Sequence, residues 1–101
     1  MARPEKSIED YLVERVEFCG GQAAKWDVRG HRGRVDRVVM LPCGEMARHW
    51  HVYLVELKAG GKKPRPEQLR EHARLRALGF EVIVIDTKEQ VDELTATYMD
   101  H

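Results

Sequence analysis

The sequence has no apolar run long enough to cross a membrane. Its longest charge-free stretch near the middle covers residues 38–44, far short of the ~20 residues a span requires. No hydrophobic segment follows the polar residues 1–7, so no secretory signal is read. Cysteine is scarce: Cys19 and Cys43 form no C-x-x-C pair, which argues against a disulfide scaffold or a dithiol redox motif and for two free thiols in a reducing compartment. Eight glycines and four prolines are too few for a fibrous or low-complexity chain. At 43% hydrophobic residues, the sequence is also too apolar for intrinsic disorder. Net charge is absent as well, with 17 basic residues against 17 acidic ones. At 101 residues the expectation is a single domain over 1–101, with its core at about 7–98 and no membrane partner.

The zero net charge conceals segregation. Residues 25–37 hold five basic side chains against two acidic ones, residues 58–76 hold seven against two, and residues 81–101 hold one against six. Two concentrated basic segments can present a positive surface to a polyanion even on a neutral protein.

Hydrophobic spacing lays out the elements. Ser7 reads as a helix cap, with Ile8, Tyr11, Leu12, Val16 and Cys19 forming a core-facing stripe that ends at Gly20-Gly21. Glu9 lies beside that stripe. Residues 22–28 are strand-like, with Trp26 expected in the core, and a basic loop with two glycines follows at 30–34. Residues 35–41 and 51–57 read as a hairpin around Pro42-Cys43-Gly44. After a Gly-, Lys- and Pro-rich loop at 59–66, a second helix opens at Pro66-Glu67 and runs along Leu69, Ala73 and Ala77 to Gly79. Residues 80–85 form an apolar run expected to be covered on both faces. Thr87 with Gln90 caps a last helix, whose buried side is Val91, Leu94 and Tyr98. The fold class is α/β, in the order α-β-β-β-α-β-α.

The chemistry concentrates in Asp36 and in Glu56-Leu57-Lys58. Alternation along a strand puts Glu56 and Lys58 on one face. A hairpin centred near residue 46 pairs Val38 with Leu54 and brings Asp36 opposite Glu56, with Cβ atoms ~5 Å apart. Two carboxylates at that distance repel unless a proton or cation lies between them. Mg²⁺ suits such a pair, since it binds through one or two carboxylates, keeps several waters and takes substrate phosphate as a further ligand. Asp36, Glu56 and the Leu57 backbone carbonyl are the expected ligands, with Lys58 placed to orient water and balance phosphate charge. This constellation supports metal-assisted phosphodiester hydrolysis. Lys25, Arg29, Arg32 and Arg34 flank Asp36, and Lys62, Lys63 and Arg65 follow Lys58, so both basic segments adjoin the expected metal site and are candidate phosphate contacts. His49, His51 and Cys43 supply three ligands where a structural zinc site wants four; the histidines and Trp50 fit a dimer contact or DNA edge better.

Gly33-Arg34-Val35-Asp36, a spacer and Glu56-Leu57-Lys58 together resemble the signature of the PD-(D/E)XK nucleases. The wider context is similar to their virus-type replication-repair nuclease (VRR-NUC) family: Glu9 in the first helix, Lys25 before the glycine-rich loop, Gln68 opening the second helix, and Leu75-x-x-x-Gly79 leading into a strand. Val35 departs from the usual proline, and Arg65 from the usual serine or threonine. The resemblance implies a restriction-endonuclease-like core, a mixed central sheet flanked by helices, and a Mg²⁺- or Mn²⁺-dependent DNA endonuclease. It further implies metal binding by Asp36 and Glu56, assistance from Lys58, and support from Glu9 and Gln68. For standalone viral members it implies homodimers acting on branched DNA such as four-way (Holliday) junctions, in the cytoplasm of a bacterial or virus-infected cell. The alternative is a non-cleaving nucleic-acid-binding module of the same fold.

Overall fold

The computed structural model describes residues 4–26, 35–43 and 49–98. The expected phosphate contacts Arg29, Arg32 and Arg34 lie outside the described residues. Helix α1 (Pro4–Phe18) begins ahead of Ser7, which is therefore an interior residue and not the cap. Proline's fixed φ and missing N–H suit the first helical turn, so the helix extends back to Pro4. The stripe of Ile8, Leu12, Val16 and Cys19 is buried as its spacing predicts. Gly20, at φ +84°, ends the helix in the left-handed region. A Cβ on Gly21 would stand 2.3 Å from the Met40 carbonyl oxygen; glycine is what lets this turn press onto the sheet.

Strands β1 (Gln22–Lys25), β2 (Arg37–Cys43) and β3 (His49–Leu57) form an antiparallel meander, and β4 (Glu81–Ile85) joins β3 in parallel. The sheet is mixed, in spatial order β1-β2-β3-β4. Val38 pairs with Leu54, the register expected of the hairpin. Helices α1 and α3 (Lys88–Ala96) pack on one face, where Leu12, Val16, Val39, Leu41, Val55, Leu57, Ile85 and Val91 form the main core. Helix α2 (Pro66–Ala77) covers part of the other face with a smaller cluster of Val35, Leu54, Leu75 and Val82. Trp26 packs against this second cluster. Among the described residues, no helix is long and apolar enough to cross a membrane.

Strand β4 stands at the sheet edge yet is covered on both faces as expected, with Val82 in the α2 cluster, Ile85 in the α1/α3 core, and Ile83 and Val84 partly buried. One expectation changes. On α2 the buried side chains are His72 and Leu75, whereas Leu69 is 52% exposed and Ala73 and Ala77 are also exposed. Periodicity fits either face of this helix, but the sheet beneath it presents a carboxylate, Glu56, which recruits the polar side instead of the purely apolar one. Helix α3 follows the reading: Gln90 N–H donates to Thr87 Oγ1 at 3.2 Å, and Gln90 Oε1 accepts from Thr87 N–H at 3.1 Å.

Candidate active site

The last four residues of β3, Leu54 to Leu57, are all buried. Val55 and Leu57 face the α1/α3 core, and Leu54 faces the α2 cluster. Alternation therefore turns Glu56 toward α2 as well. Its side chain is 2% exposed, and a carboxylate so placed requires partners. Helix α2 supplies two of them. Gln68 Nε2 donates to Glu56 Oε2 at 3.0 Å, and one helical turn later His72 Nε2 lies 3.4 Å from Glu56 Oε1. Lys58, two residues along the same strand face, places Nζ 3.7 Å from Oε2.

Gln68 is itself held in one orientation. Its Oε1 accepts the Arg65 N–H at 2.8 Å, which leaves its amide NH₂ for Glu56. That bond also explains why Arg65 can replace a serine or threonine at the head of the helix: the Arg65 side chain makes no cap, but Gln68 reaches back to bond the Arg65 backbone N–H.

Asp36 sits just before β2. Its N–H donates to the Val55 carbonyl at 2.9 Å, one residue out of step with the ladder, so regular pairing with β3 stops at Arg37 and Val55. Its own carbonyl accepts from Trp26 N–H at 3.2 Å. The Asp36 side chain then crosses to β3, where Oδ2 accepts the Leu57 N–H at 2.7 Å. This charge-assisted bond, rather than ladder pairing, aims Asp36 at Glu56. The two carboxyls come within hydrogen-bonding reach.

The electrostatics follow from that approach. Burial first, and the Asp36 charge second, push the Glu56 carboxyl from its ordinary 4.5 up to about 7, with Lys58 pulling the other way. Near neutral pH the pair thus competes for a proton between its oxygens, the behaviour of two carboxylates sharing one site. A divalent cation suits this position for the same reason the proton does. Burial is also the main cause that lowers the His72 pKa, aided by Arg76 and Lys58. The uncharged imidazole is thereby favoured, and in its Nε2–H tautomer the nitrogen facing Glu56 can donate to Oε1.

The structure thus brings Asp36, Glu56, Lys58 and Gln68 together, with the Leu57 backbone joined through its N–H. Glu9 is placed elsewhere: its Oε2 lies 3.0 Å from Arg37 Nε, and Arg37 Nη1 also donates to the Ala23 carbonyl at 2.8 Å. Arg37 follows Asp36 directly and points to the α1 face. Lys25 is exposed and pairs with Arg37 in the β1–β2 register, close to Asp36 along the chain ends. Lys62, Lys63 and Arg65 are exposed on the loop between Lys58 and Gln68. His72 and Arg37 escaped the sequence reading. His72 lies four residues after Gln68 and hence on the same helix face, a spacing that could have revealed it. As for the zinc alternative, His51 Nδ1 instead meets the Tyr98 hydroxyl at 2.5 Å. No group of three or more His, Cys, Asp or Glu side chains suited to a metal occurs among the described residues; a cation held by Asp36 and Glu56 would complete its shell with backbone, water and phosphate oxygens, as Mg²⁺ commonly does.

No family model matches the sequence. Among curated proteins, "Putative nuclease p44" of Acyrthosiphon pisum secondary endosymbiont phage 1 is 51% identical over 85 residues, spanning 84% of this chain and 85% of that protein. A solved structure described as a VRR_NUC domain superposes with a TM-score of 0.80 at 38% identity, covering 96% of this chain and 99% of its own. With the mixed four-stranded sheet, the order α-β-β-β-α-β-α and relatedness along most of its length, the chain belongs to the virus-type replication-repair nuclease family.

Proposed function

We propose that this protein is a divalent-metal-dependent DNA endonuclease that acts on branched DNA, four-way junctions included, as a homodimer. The observation that carries this reading is the buried Glu56 carboxyl held against Asp36 with the Lys58 ammonium 3.7 Å away. Asp36, Glu56 and the Leu57 carbonyl would hold Mg²⁺ or Mn²⁺. When bound, the cation supplies positive charge to a phosphoryl oxygen and lowers the pKa of water. Lys58 then orients the attacking water and offsets charge that develops on the phosphate. Gln68 keeps Glu56 in the orientation its role requires. Glu9 supports the site from one residue away, since its ion pair fixes Arg37 and hence the start of the strand that presents Asp36.

The basic residues supply the substrate grip. Lys25, Arg29, Arg32 and Arg34 lead into Asp36, and Lys62, Lys63 and Arg65 lead out of Lys58, so phosphates on either side of a scissile bond meet positive charge. These contacts position the backbone and read no sequence, which suits a nuclease selective for DNA shape. One site per chain and two strands to cut favour a two-fold symmetric pair.

The test is a panel of labelled duplex, flap, splayed-arm and four-way-junction DNA, incubated with Mg²⁺ or Mn²⁺ beside the Asp36→Ala variant. The reading expects metal-dependent cleavage strongest on branched substrates, and an Asp36→Ala protein that binds DNA but does not cut. Gel shifts without nicks in the unmodified protein would instead identify a non-cleaving DNA-binding module.

A further inference from the structure

The nuclease reading uses Gln68 but leaves His72 without a task, although it is one of the most deeply buried side chains, at 1% exposure. A buried histidine is costly unless its ring nitrogens are used. Here Nε2 meets the one Glu56 oxygen that neither Gln68 nor Lys58 touches: His72 lies on Oε1, while Gln68 and Lys58 lie on Oε2. Gln68 and His72 are one helical turn apart, so a single rigid element grips both oxygens of one carboxylate. A carboxylate bonded at one oxygen can still rotate about its last torsion, a broad and soft degree of freedom. Donors on both oxygens remove that rotation and fix the plane in which the remaining lone pairs point.

We infer that His72 is a positioning residue, donating from Nε2 to Glu56 Oε1 so that the Glu56 carboxylate meets the cation it shares with Asp36 in one fixed orientation. The inference rests on the nuclease reading, and it adds a residue that acts on the ion only through Glu56. Partners of this outer kind typically change metal affinity by 10–100-fold. Two features of the surroundings agree. Leu75, the next α2 residue inward, is locked in the cluster with Leu54 and Val82, so α2 cannot slide relative to Glu56 without breaking that packing. The cap on Gln68 then fixes the other end of the same turn.

The experiment is calorimetric titration of Mn²⁺ into the full chain, comparing the unmodified protein with His72→Phe, which keeps a ring and loses the donor, and His72→Gln, which keeps a donor. Metal-free DNA binding and cleavage at saturating Mn²⁺ are measured on the same samples. The expected result is a Kd for Mn²⁺ at least 10-fold weaker in His72→Phe, recovery to within about 3-fold in His72→Gln, unchanged metal-free DNA affinity, and cleavage by His72→Phe that is largely restored at high Mn²⁺. Equal Mn²⁺ affinity in all three proteins, with only thermal stability altered, overturns the inference while leaving the nuclease reading intact. An unmodified protein that binds no Mn²⁺ overturns both. Because His72→Phe could fail to fold, the imidazole ¹⁵N shifts of the unmodified protein supply a second test: the Nε2–H tautomer supports the inference, and the Nδ1–H tautomer overturns it.

Discussion

Replacing Asp36 by asparagine should make the metal-free domain more stable at alkaline pH while removing its response to metal. Asparagine keeps an oxygen to accept the Leu57 N–H now bound at 2.7 Å, and offers an NH₂ toward Glu56 in place of a second negative charge. Glu56 is lifted from 4.5 to about 7 in the fold, a preference for the protonated form of about 3 kcal/mol. Since the folded value lies above the unfolded one, the associated stability is fully present below about pH 4.5 and is lost as pH rises through 7. Burial is the larger cause and survives the substitution; the Asp36 charge is the second cause and does not. Relief of about 1–2 kcal/mol is therefore expected above pH 7, and almost none near pH 4.5. For a domain of this size that is a rise in Tm of roughly 5–12 °C. Metal reverses the order. A cation at 100 times its Kd adds about 2.7 kcal/mol to a protein that binds it, and only the unmodified protein should gain. Thermal melts at pH 4.5 and 8, in chelator and in Mn²⁺ at one protein concentration, check all four combinations. A variant less stable than the parent at pH 8 in chelator, or a Tm difference independent of pH, would refute the reasoning that these two carboxyls confront each other.

Lys58→Met should leave folding and DNA binding in place while lowering the cleavage rate by about 100-fold or more at saturating metal, measured by single-turnover kinetics. Glu9→Gln should cost about 1–2 kcal/mol in urea unfolding through the loss of its charge-assisted bond to Arg37, yet reduce cleavage by less than 10-fold, because Glu9 meets Arg37 and not Glu56. Leu75→Ala should cost about 2–5 kcal/mol by opening a cavity against Leu54 and Val82, and the loosened α2 should also raise the metal requirement for cleavage. DNA affinity should fall steeply with salt, with a log–log slope approaching −6 were all seven predicted basic contacts made to duplex phosphates, and each single Lys→Ala or Arg→Ala change should reduce that slope by about 1.

Much of this architecture is legible in the sequence because its signals are local or set by strand alternation. The Ile8-Leu12-Val16-Cys19 stripe, the Thr87-Gln90 cap and the Val38–Leu54 pairing each depend on spacing alone, and each appears in the structure. The same pairing predicts the convergence of Asp36 on Glu56, but the structure achieves it differently: the ladder ends at Arg37, and the Leu57 N–H draws the Asp36 carboxylate across. What sequence spacing does not reveal is which face of a helix a distant strand will select. Leu69, Ala73 and Ala77 form a plausible apolar stripe, yet a buried glutamate on β3 makes Gln68 and His72 the better inward side. Similarly, Glu9 lies close to the first-helix stripe, but its partner Arg37 becomes apparent only once α1 is laid on β2.

The most direct test of the account is anomalous diffraction from crystals soaked with Mn²⁺. A manganese peak is expected about 2 Å from a carboxylate oxygen of both Asp36 and Glu56. Manganese bound to one of the two and out of reach of the other, or found only at some other part of the surface, would contradict it.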